Sequence, residues 1–155
     1  MKMYHALGIS MLSVLLLVAG CASVPKAADS EDAAAKQFRA PSDKGRVYVY
    51  RHAFLGQAVA IPIHINGKPW GQTQGKSFLI ADLAPGEYTI LSKAENDSSV
   101  KVQVEAGKLY FVWQEITMGA FMARAHLYLV DDSKGRHDVM QTSLLVPTPP
   151  APPAQ

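Results

Sequence analysis

Apolar side chains at every second position constrain the fold of this chain more than any other feature. Residues 100–105 alternate valines with polar residues, and residues 59–65 repeat the pattern with valine and isoleucine. Successive side chains of a β-strand point to opposite faces, so this period of two predicts strands with one buried face. Comparable β-branched and aromatic runs occupy residues 46–51, 77–83, 87–93, 109–117 and 121–130.

These runs predict a mainly β domain over residues 44–146. About seven short strands separated by turns are typical of an antiparallel β-sandwich, Ig-like or prealbumin-like, or of an open barrel. Asn66-Gly67 is the strongest short hairpin signal in the chain. Pro62 cannot donate a ladder hydrogen bond, so its strand is expected at a sheet edge or at a bulge.

The segment after the last strand run favours a short helix. Asp132 or Ser133 is a suitable cap for a helix that runs to about Thr142, although Gly135 lowers its propensity. An α+β domain with this helix packed on one sheet is the alternative architecture.

The N-terminus has the pattern of a bacterial lipoprotein signal. Residues 1–20 combine a lysine near the start, an apolar stretch and the small residues Ala19 and Gly20 before Cys21, the only cysteine. The apolar stretch is shorter than the roughly 20 residues that a spanning helix needs. This pattern resembles a lipobox and predicts cleavage between Gly20 and Cys21, with lipid attached to Cys21.

A lipid on Cys21 would hold the mature chain on a membrane, because several buried acyl chains anchor a protein stably. Lipoproteins retained in the inner membrane typically have Asp where this chain has Ala22. The resemblance therefore implies the periplasmic face of the outer membrane, with the inner membrane and the cell surface left open. Lipidation also consumes the thiol, so the fold must rest on its apolar core without a disulfide.

Composition places two further segments outside the β domain. Residues 21–43 lack a strong apolar period and are expected to form a flexible tether, with a short helix as the alternative. Residues 147–155 are rich in proline and are expected to be a disordered, extended tail. The net charge is +2 with both signs interspersed, which gives no basic patch for nucleic acid.

The sequence contains no recognisable catalytic motif, metal motif or cofactor motif. The histidines are scattered without the paired spacing of a zinc site. A binding patch is predicted instead, and a convergence of its two histidines with its carboxylate depends on how the strands pair. The patch residues are Trp70, Trp113, Glu115, His64 and His126.

Glu115 is the one carboxylate within a strongly apolar run. By the period of two it shares a strand face with Phe111 and Trp113. Either this face is wet and exposes its aromatic rings, or Glu115 lies near the strand end beside a partner such as Arg124. The ion pair or strand-end position is the favoured interpretation.

Several phrases occur together in a recognisable order. They are Gly45-Arg46-Val47-Tyr48-Val49-Tyr50-Arg51, Ile65-Asn66-Gly67, Leu83-Ala84-Pro85-Gly86-Glu87-Tyr88 and Ala106-Gly107-Lys108-Leu109-Tyr110-Phe111-Val112. With them the chain resembles the bacterial lipoprotein family catalogued as domain of unknown function 2846, over residues 44–130. The resemblance implies a small β-sandwich-like domain on a lipid anchor, with no established activity.

Three functions follow from these observations, in order of preference. The first is a non-catalytic structural or adaptor lipoprotein that binds another component of the cell envelope. The second is a small-ligand or glycan-binding module that uses Trp70 and Trp113. The third is a peptidoglycan hydrolase that uses Glu115.

Overall fold

The computed structural model describes residues 23–149, which form two β-sheets and two short helices. In chain order the elements are α1 (Asp29–Ala35), β1 (Gly45–Arg51), β2 (Ile61–Ile65), β3 (Lys68–Thr73), β4 (Ser77–Leu83), β5 (Gly86–Lys93), β6 (Asp97–Val104), β7 (Leu109–Met118), β8 (Ala123–Val130), α2 (Asp132–Met140) and β9 (Ser143–Leu144). The predicted signal peptide, with its cleavage site at Gly20 and Cys21, lies outside the described residues. So do residues 150–155 of the predicted tail. Neither described helix is long and apolar enough to span a membrane.

The two sheets pack face to face around an aliphatic core, which confirms the predicted mainly β sandwich. One sheet has the order β8-β7-β1-β4-β9 and the other the order β3-β2-β5-β6. Inward valine, leucine and isoleucine side chains from both sheets form the core between them. The described residues contain nine strands rather than about seven, and two pairs, β1 with β7 and β4 with β9, are parallel.

Strand β1 is buried on both of its faces. Val47 and Val49 point into the core between the sheets, while Tyr48 and Tyr50 belong to a second cluster on the outer side. Both helices contribute to that second cluster, through Ala35 of α1 and Val139 of α2. A strand covered on both sides is expected to be apolar nearly throughout, which explains the composition of β1.

Helix α2 confirms the predicted C-terminal helix, with its cap one residue earlier than expected. The Asp131 side chain accepts a hydrogen bond from the Lys134 backbone N–H at 2.9 Å. A Cβ added at Gly135 would stand only 2.1 Å from Cγ of Phe111. The glycine that weakens the helix in sequence terms is therefore what lets the helix lie directly on the sheet.

The segment expected to be a flexible tether is folded onto the sandwich from Val24 onward. Val24 is buried in the core, and Lys26 forms an antiparallel bridge with Leu145. Ala35, at the end of α1, accepts a hydrogen bond from the Tyr48 hydroxyl at 2.8 Å. Tertiary contacts order this segment, because α1 is too short to be stable alone.

Pro62 lies in a central strand, since β2 pairs with β3 on one side and with β5 on the other. The expected edge position is therefore wrong, whereas the expected irregularity is present. The β2–β3 register shifts between Ile63 and His64, and pairing with β5 begins only at Ile63. Pro62 thus lies just before the residues of β2 that pair with β5, so the N–H that proline lacks is not needed by β5.

A buried polar network joins the two sheets. Gln114 of β7 accepts a hydrogen bond from the Thr73 hydroxyl and donates one to the Ser92 hydroxyl at 2.6 Å. All three side chains are buried, and Thr73 and Ser92 belong to the facing sheet. Because buried polar groups need partners, this network favours one alignment of the sheets over others.

The strand directions give the sandwich two distinct ends. β1 and β7 are parallel, so the loop at residues 52–60 and the loop at residues 119–122 leave the same end. β4 and β9 run away from that end, because β4 is antiparallel to β1. The Lys26–Leu145 bridge is antiparallel, so residues 23–27 start on the side of the opposite end.

We expect Gly135→Ala to destabilise the domain although alanine is the better helix former. The added methyl group overlaps the Phe111 ring, and such overpacking costs about 1–3 kcal/mol of unfolding free energy. Chemical denaturation measures the change, with the exposed Ser133→Ala in the same helix as control. A gain in stability at Gly135 would contradict the close helix–sheet contact.

Gln114→Leu should lower the free energy of unfolding by about 1–3 kcal/mol, because it removes the amide partner of two buried hydroxyls. The matched control is Gln103→Leu on the exposed side of β6. That surface change is expected to stay within about 0.5 kcal/mol. Equal effects at both positions in urea denaturation would argue against the network.

Candidate functional site

Three of the five predicted patch residues lie together on the outer face of the five-stranded sheet. Trp113 and Glu115 share this face of β7, and Glu115 stands directly across from His126 of β8. Tyr128 is the cross-strand neighbour of Trp113, with ring centroids 5.4 Å apart. This group of an indole, a phenol, a carboxylate and an imidazole is the part of the patch that the fold assembles.

The other two predicted residues lie in the four-stranded sheet. His64 is on the outer side of β2, because Ile63 and Ile65 point into the core. Trp70 is the extra residue at the β2–β3 bulge and packs against the same core. His64 and His126 are therefore on opposite outer faces and do not converge. Within residues 23–149 no three His, Cys, Asp or Glu side chains form a group suited to a metal ion.

Trp113 is framed by charged and aromatic neighbours rather than being fully exposed. The Lys134 ammonium lies 4.8 Å from the ring centroid, a cation–π distance, and the His52 ring lies 5.7 Å away. The indole N–H is buried without a hydrogen-bond partner. Of the two neighbouring rings the Tyr128 phenol is the more exposed, at 43%, and Trp113 is partly buried.

Asp138 fixes Lys134 beside the tryptophan. Its carboxylate accepts hydrogen bonds from the Tyr50 hydroxyl and the Lys134 ammonium, each at 2.8 Å. Burial works to raise the pKa of Asp138, but these hydrogen bonds outweigh it and hold the pKa below its ordinary value. Burial, followed by the bond to the carboxylate, raises the pKa of Tyr50. This cluster attaches α2 to the sheet.

Glu115 does not pair with Arg124, so the ion-pair part of the favoured interpretation is wrong, and Glu115 stands three residues before the last residue of β7. Its carboxylate accepts a hydrogen bond from the Tyr128 hydroxyl at 3.3 Å, and it stays partly exposed. Arg124 lies two residues before His126 in β8, across from Thr117, and its guanidinium is 3.7 Å from Glu95. Glu115 thus belongs to the wet face that was the alternative.

A larger surface feature, which the sequence did not reveal, is a group of exposed apolar side chains at one end of the sandwich. We call it the apolar end. Phe121 is 94%, Met118 79% and Phe54 71% exposed. The complete group comprises Phe54, Leu55, Val59, Met118, Phe121 and Met122. No charged residue interrupts residues 53–60 or 117–123, and clustered apolar exposure of this kind marks interaction surfaces.

The first loop of the apolar end is held by a buried arginine. Arg51 is fully buried, and its guanidinium donates to the backbone carbonyls of Val59 at 2.8 Å, Leu55 at 3.1 Å and Gly56. Burial lowers the pKa of Arg51 to about 10. A buried cation that satisfies three loop carbonyls gives this loop one defined shape.

The second loop is held by a carboxylate. Glu95, in the β5–β6 turn, accepts hydrogen bonds from the backbone N–H groups of Ala120 at 3.1 Å, Phe121 at 2.8 Å and Met122 at 2.9 Å. These bonds lower the pKa of Glu95. A Cβ at Gly119 would stand 2.4 Å from the Met122 carbonyl oxygen, so the loop needs glycine there.

The two loops enclose a shallow apolar cavity of about 250 Å³. Leu55, Gly56 and Val59 line it from the first loop, and residues 116–123 line it from the second. Exposed apolar groups on loops of fixed shape lose little entropy on binding. The arrangement is suited to receiving an apolar side chain.

The strand pattern of the sequence assigns part of the apolar end to strands rather than to loops. The sequence predicts one strand over residues 121–130, whereas β8 begins at Ala123 and leaves Phe121 and Met122 in the loop. Residues 52–58 carry no strand pattern, and Val59, which the alternation places in a strand, lies in the loop before β2. An uncharged loop containing Phe and Leu is unusual on a surface, and it becomes informative only when the fold brings a second such loop beside it.

Lowering the pH should loosen the loop at residues 119–122. Because the folded state depresses the pKa of Glu95, its contribution is present above the ordinary glutamate range and is lost as the pH falls through the depressed value. Hydrogen exchange at Phe121 and Met122, compared with a core amide at each pH, measures the loss. Glu95→Gln should remove this pH dependence, and its persistence in the variant would contradict the assignment.

Comparisons with known proteins agree with the family resemblance of the sequence phrases. The model of the family described as Protein of unknown function (DUF2846) matches residues 41–126. A relative from Haemophilus influenzae, described as an uncharacterized protein, is 33% identical over 140 residues, which cover 88% of this chain and 83% of the relative. The matched region runs from before β1 into β8 and includes both loops of the apolar end. The chain therefore belongs to the DUF2846 family of proteins of unknown function.

Proposed function

We propose that this protein is a lipid-anchored lipoprotein of the bacterial cell envelope whose domain is a non-catalytic adaptor. The apolar end is its docking surface, and the occupant is an uncharged apolar surface of another envelope protein. The observation that carries the proposal is the pairing of strong apolar exposure with loops of fixed shape, held by Arg51 and Glu95. The lipobox before Cys21 supports the anchor, and Ala22 supports the outer membrane.

The direction of the chain supports a protein partner over the anchoring membrane. Residues 23–27 start on the side of the opposite end, so a lipid on Cys21 holds that end near the bilayer. The apolar end is then directed away from the membrane that carries the lipid. A surface that faces the periplasm and whose two loops carry no charge is suited to an apolar protein surface.

A small-ligand or glycan-binding role is the second candidate. It is favoured by Trp113, whose ring has Tyr128 at 5.4 Å, together with the adjacent Glu115 and His126 pair. Aromatic rings beside polar groups are common where sugars stack. A hydrolase role ranks third, because the hydrogen-bond partner of Glu115 is the Tyr128 hydroxyl rather than a second carboxylate.

Photo-crosslinking in intact cells tests the docking surface. A photoreactive residue at Phe121 should give a defined protein adduct, whereas the same residue at the exposed Gln103 of β6 should not. Leu55→Asn on the neighbouring loop should abolish the adduct without moving the protein from its membrane. Loss of the adduct with the second substitution shows that the apolar end, rather than proximity alone, selects the partner.

An adduct at Gln103 as strong as that at Phe121, or insensitivity to Leu55→Asn, would overturn the adaptor proposal.

Tryptophan fluorescence of the purified protein tests the second candidate with peptidoglycan fragments. A response that Trp113→Phe removes and Trp70→Phe keeps would favour ligand binding on the outer face of the five-stranded sheet.

A further inference from the structure

The end of the sandwich opposite to the apolar end carries exposed lysines on three separate turns. Lys44 precedes β1 and Lys108 precedes β7, and the backbone bond from Gly107 N–H to the Lys44 carbonyl, at 3.0 Å, joins these turns. Lys68 begins β3 and lies near Leu83, the last residue of β4. We call this surface, formed by Lys44, Lys68 and Lys108, the basic end.

The lysines of the basic end are free to meet an external anion. Within residues 23–149 they form no ion pair, whereas Arg46 is paired with Asp82 and Lys101 with Glu87. Asp43 and Glu105 are the exposed carboxylates in the same turns. The surface therefore keeps a small excess of positive charge.

An apolar cavity of about 280 Å³ opens beside Lys68. Trp70, Tyr88 and Leu83 line it, together with Ile65. The indole N–H of Trp70 is buried and has no hydrogen-bond partner in the protein. Tryptophan and tyrosine next to lysine are the side chains enriched where proteins meet the headgroup region of a bilayer.

The chain also leaves the fold on the side of the basic end. Val24 is buried in the core, and residues 23–27 run toward the apolar end from there. Only three residue steps separate Cys21 from Val24, and they span at most about 10 Å. A lipid on Cys21 would therefore bring this part of the domain to the bilayer surface.

We propose that the basic end lies on the phospholipid surface in which the lipid of Cys21 is embedded. Trp70 and Tyr88 then lie at headgroup level, and the lysines meet lipid phosphates. The proposal rests on the proposed lipid anchor and deepens it, because it assigns the membrane-facing surface and the orientation of the domain. The domain stands on the membrane with its apolar end pointing into the periplasm.

The test uses the two tryptophans, which lie at different heights in the proposed orientation. The mature lipidated protein is reconstituted in vesicles of phosphatidylethanolamine and phosphatidylglycerol with brominated acyl chains, which quench nearby indoles. Trp113→Phe leaves Trp70 as the reporter, and Trp70→Phe leaves Trp113. We expect quenching of Trp70 to exceed that of Trp113 at least about twofold, as for an interfacial residue.

Charge reversal gives the matched control. Lys68→Glu with Lys108→Glu should reduce the quenching of Trp70 by about half, because each lysine near an anionic surface favours contact. Lys76→Glu with Lys93→Glu reverses an equal number of charges near the apolar end and should leave the quenching of Trp70 unaltered. Circular dichroism establishes that each variant is folded.

Two results would overturn the orientation. One is equal or stronger quenching of Trp113, and the other is an equal response to both charge reversals. Sedimentation with the vesicles separates this failure from failure of the anchor. Protein that carries no lipid and stays in the supernatant would contradict the proposed anchor and this inference together, whereas sedimenting protein with unquenched Trp70 would contradict the orientation alone.

Discussion

Burial of β1 on both faces is the constraint on which the rest of the structure depends. Its valines need the facing sheet, and its tyrosines need cover on the outer side of their own sheet. The two helices supply that cover, and the Tyr48 hydroxyl binds the last residue of α1. The segment before β1 is therefore part of the fold. Its position also determines where the chain leaves the domain.

Much of the architecture follows from local patterns. The alternation at residues 100–104 predicts β6, and Asn66-Gly67 predicts the β2–β3 hairpin, where both residues have positive φ. Asp132, Ser133 and the residues after them are sufficient to predict α2, although its cap is Asp131. In each case the information lies within a few neighbouring residues, which is why a single sequence is enough.

Other features depend on contacts between distant residues. Residues 21–43 have the composition of a tether, and nothing in them reveals that Tyr48 requires a cover. The period of two placed Trp113 and Glu115 on one face, but His126 joins them only through the β7–β8 register. The apolar end requires two loops, separated by more than fifty residues, to meet above Ile116. Such convergence is a property of topology rather than of any one segment.

The apolar end and the buried network use polar groups in different ways. Gln114 joins the two sheets through side chains alone, and its partners are hydroxyls. Arg51 and Glu95 instead bind loop backbone, one through carbonyls and the other through N–H groups. Because these charged residues bind only backbone groups, the loop side chains stay free for other contacts. This explains how the two uncharged loops acquire a defined shape although few of their own apolar side chains are buried.

The two ends of the described chain lie side by side, since the Val146 N–H donates to the Pro25 carbonyl and the Ala27 N–H to the Leu144 carbonyl. The two segments, residues 25–27 and residues 144–146, hold each other at the edge of the sheet through these hydrogen bonds. Proteolytic removal of the residues after Thr142 would therefore release residues 24–27 as well. With the lipid proposed on Cys21, the connection between that lipid and the domain would then lengthen from the residues before Val24 to the residues before α1, which Tyr48 still holds. With the proposed anchor, cleavage near the C-terminus would in this way change the distance between the domain and the membrane.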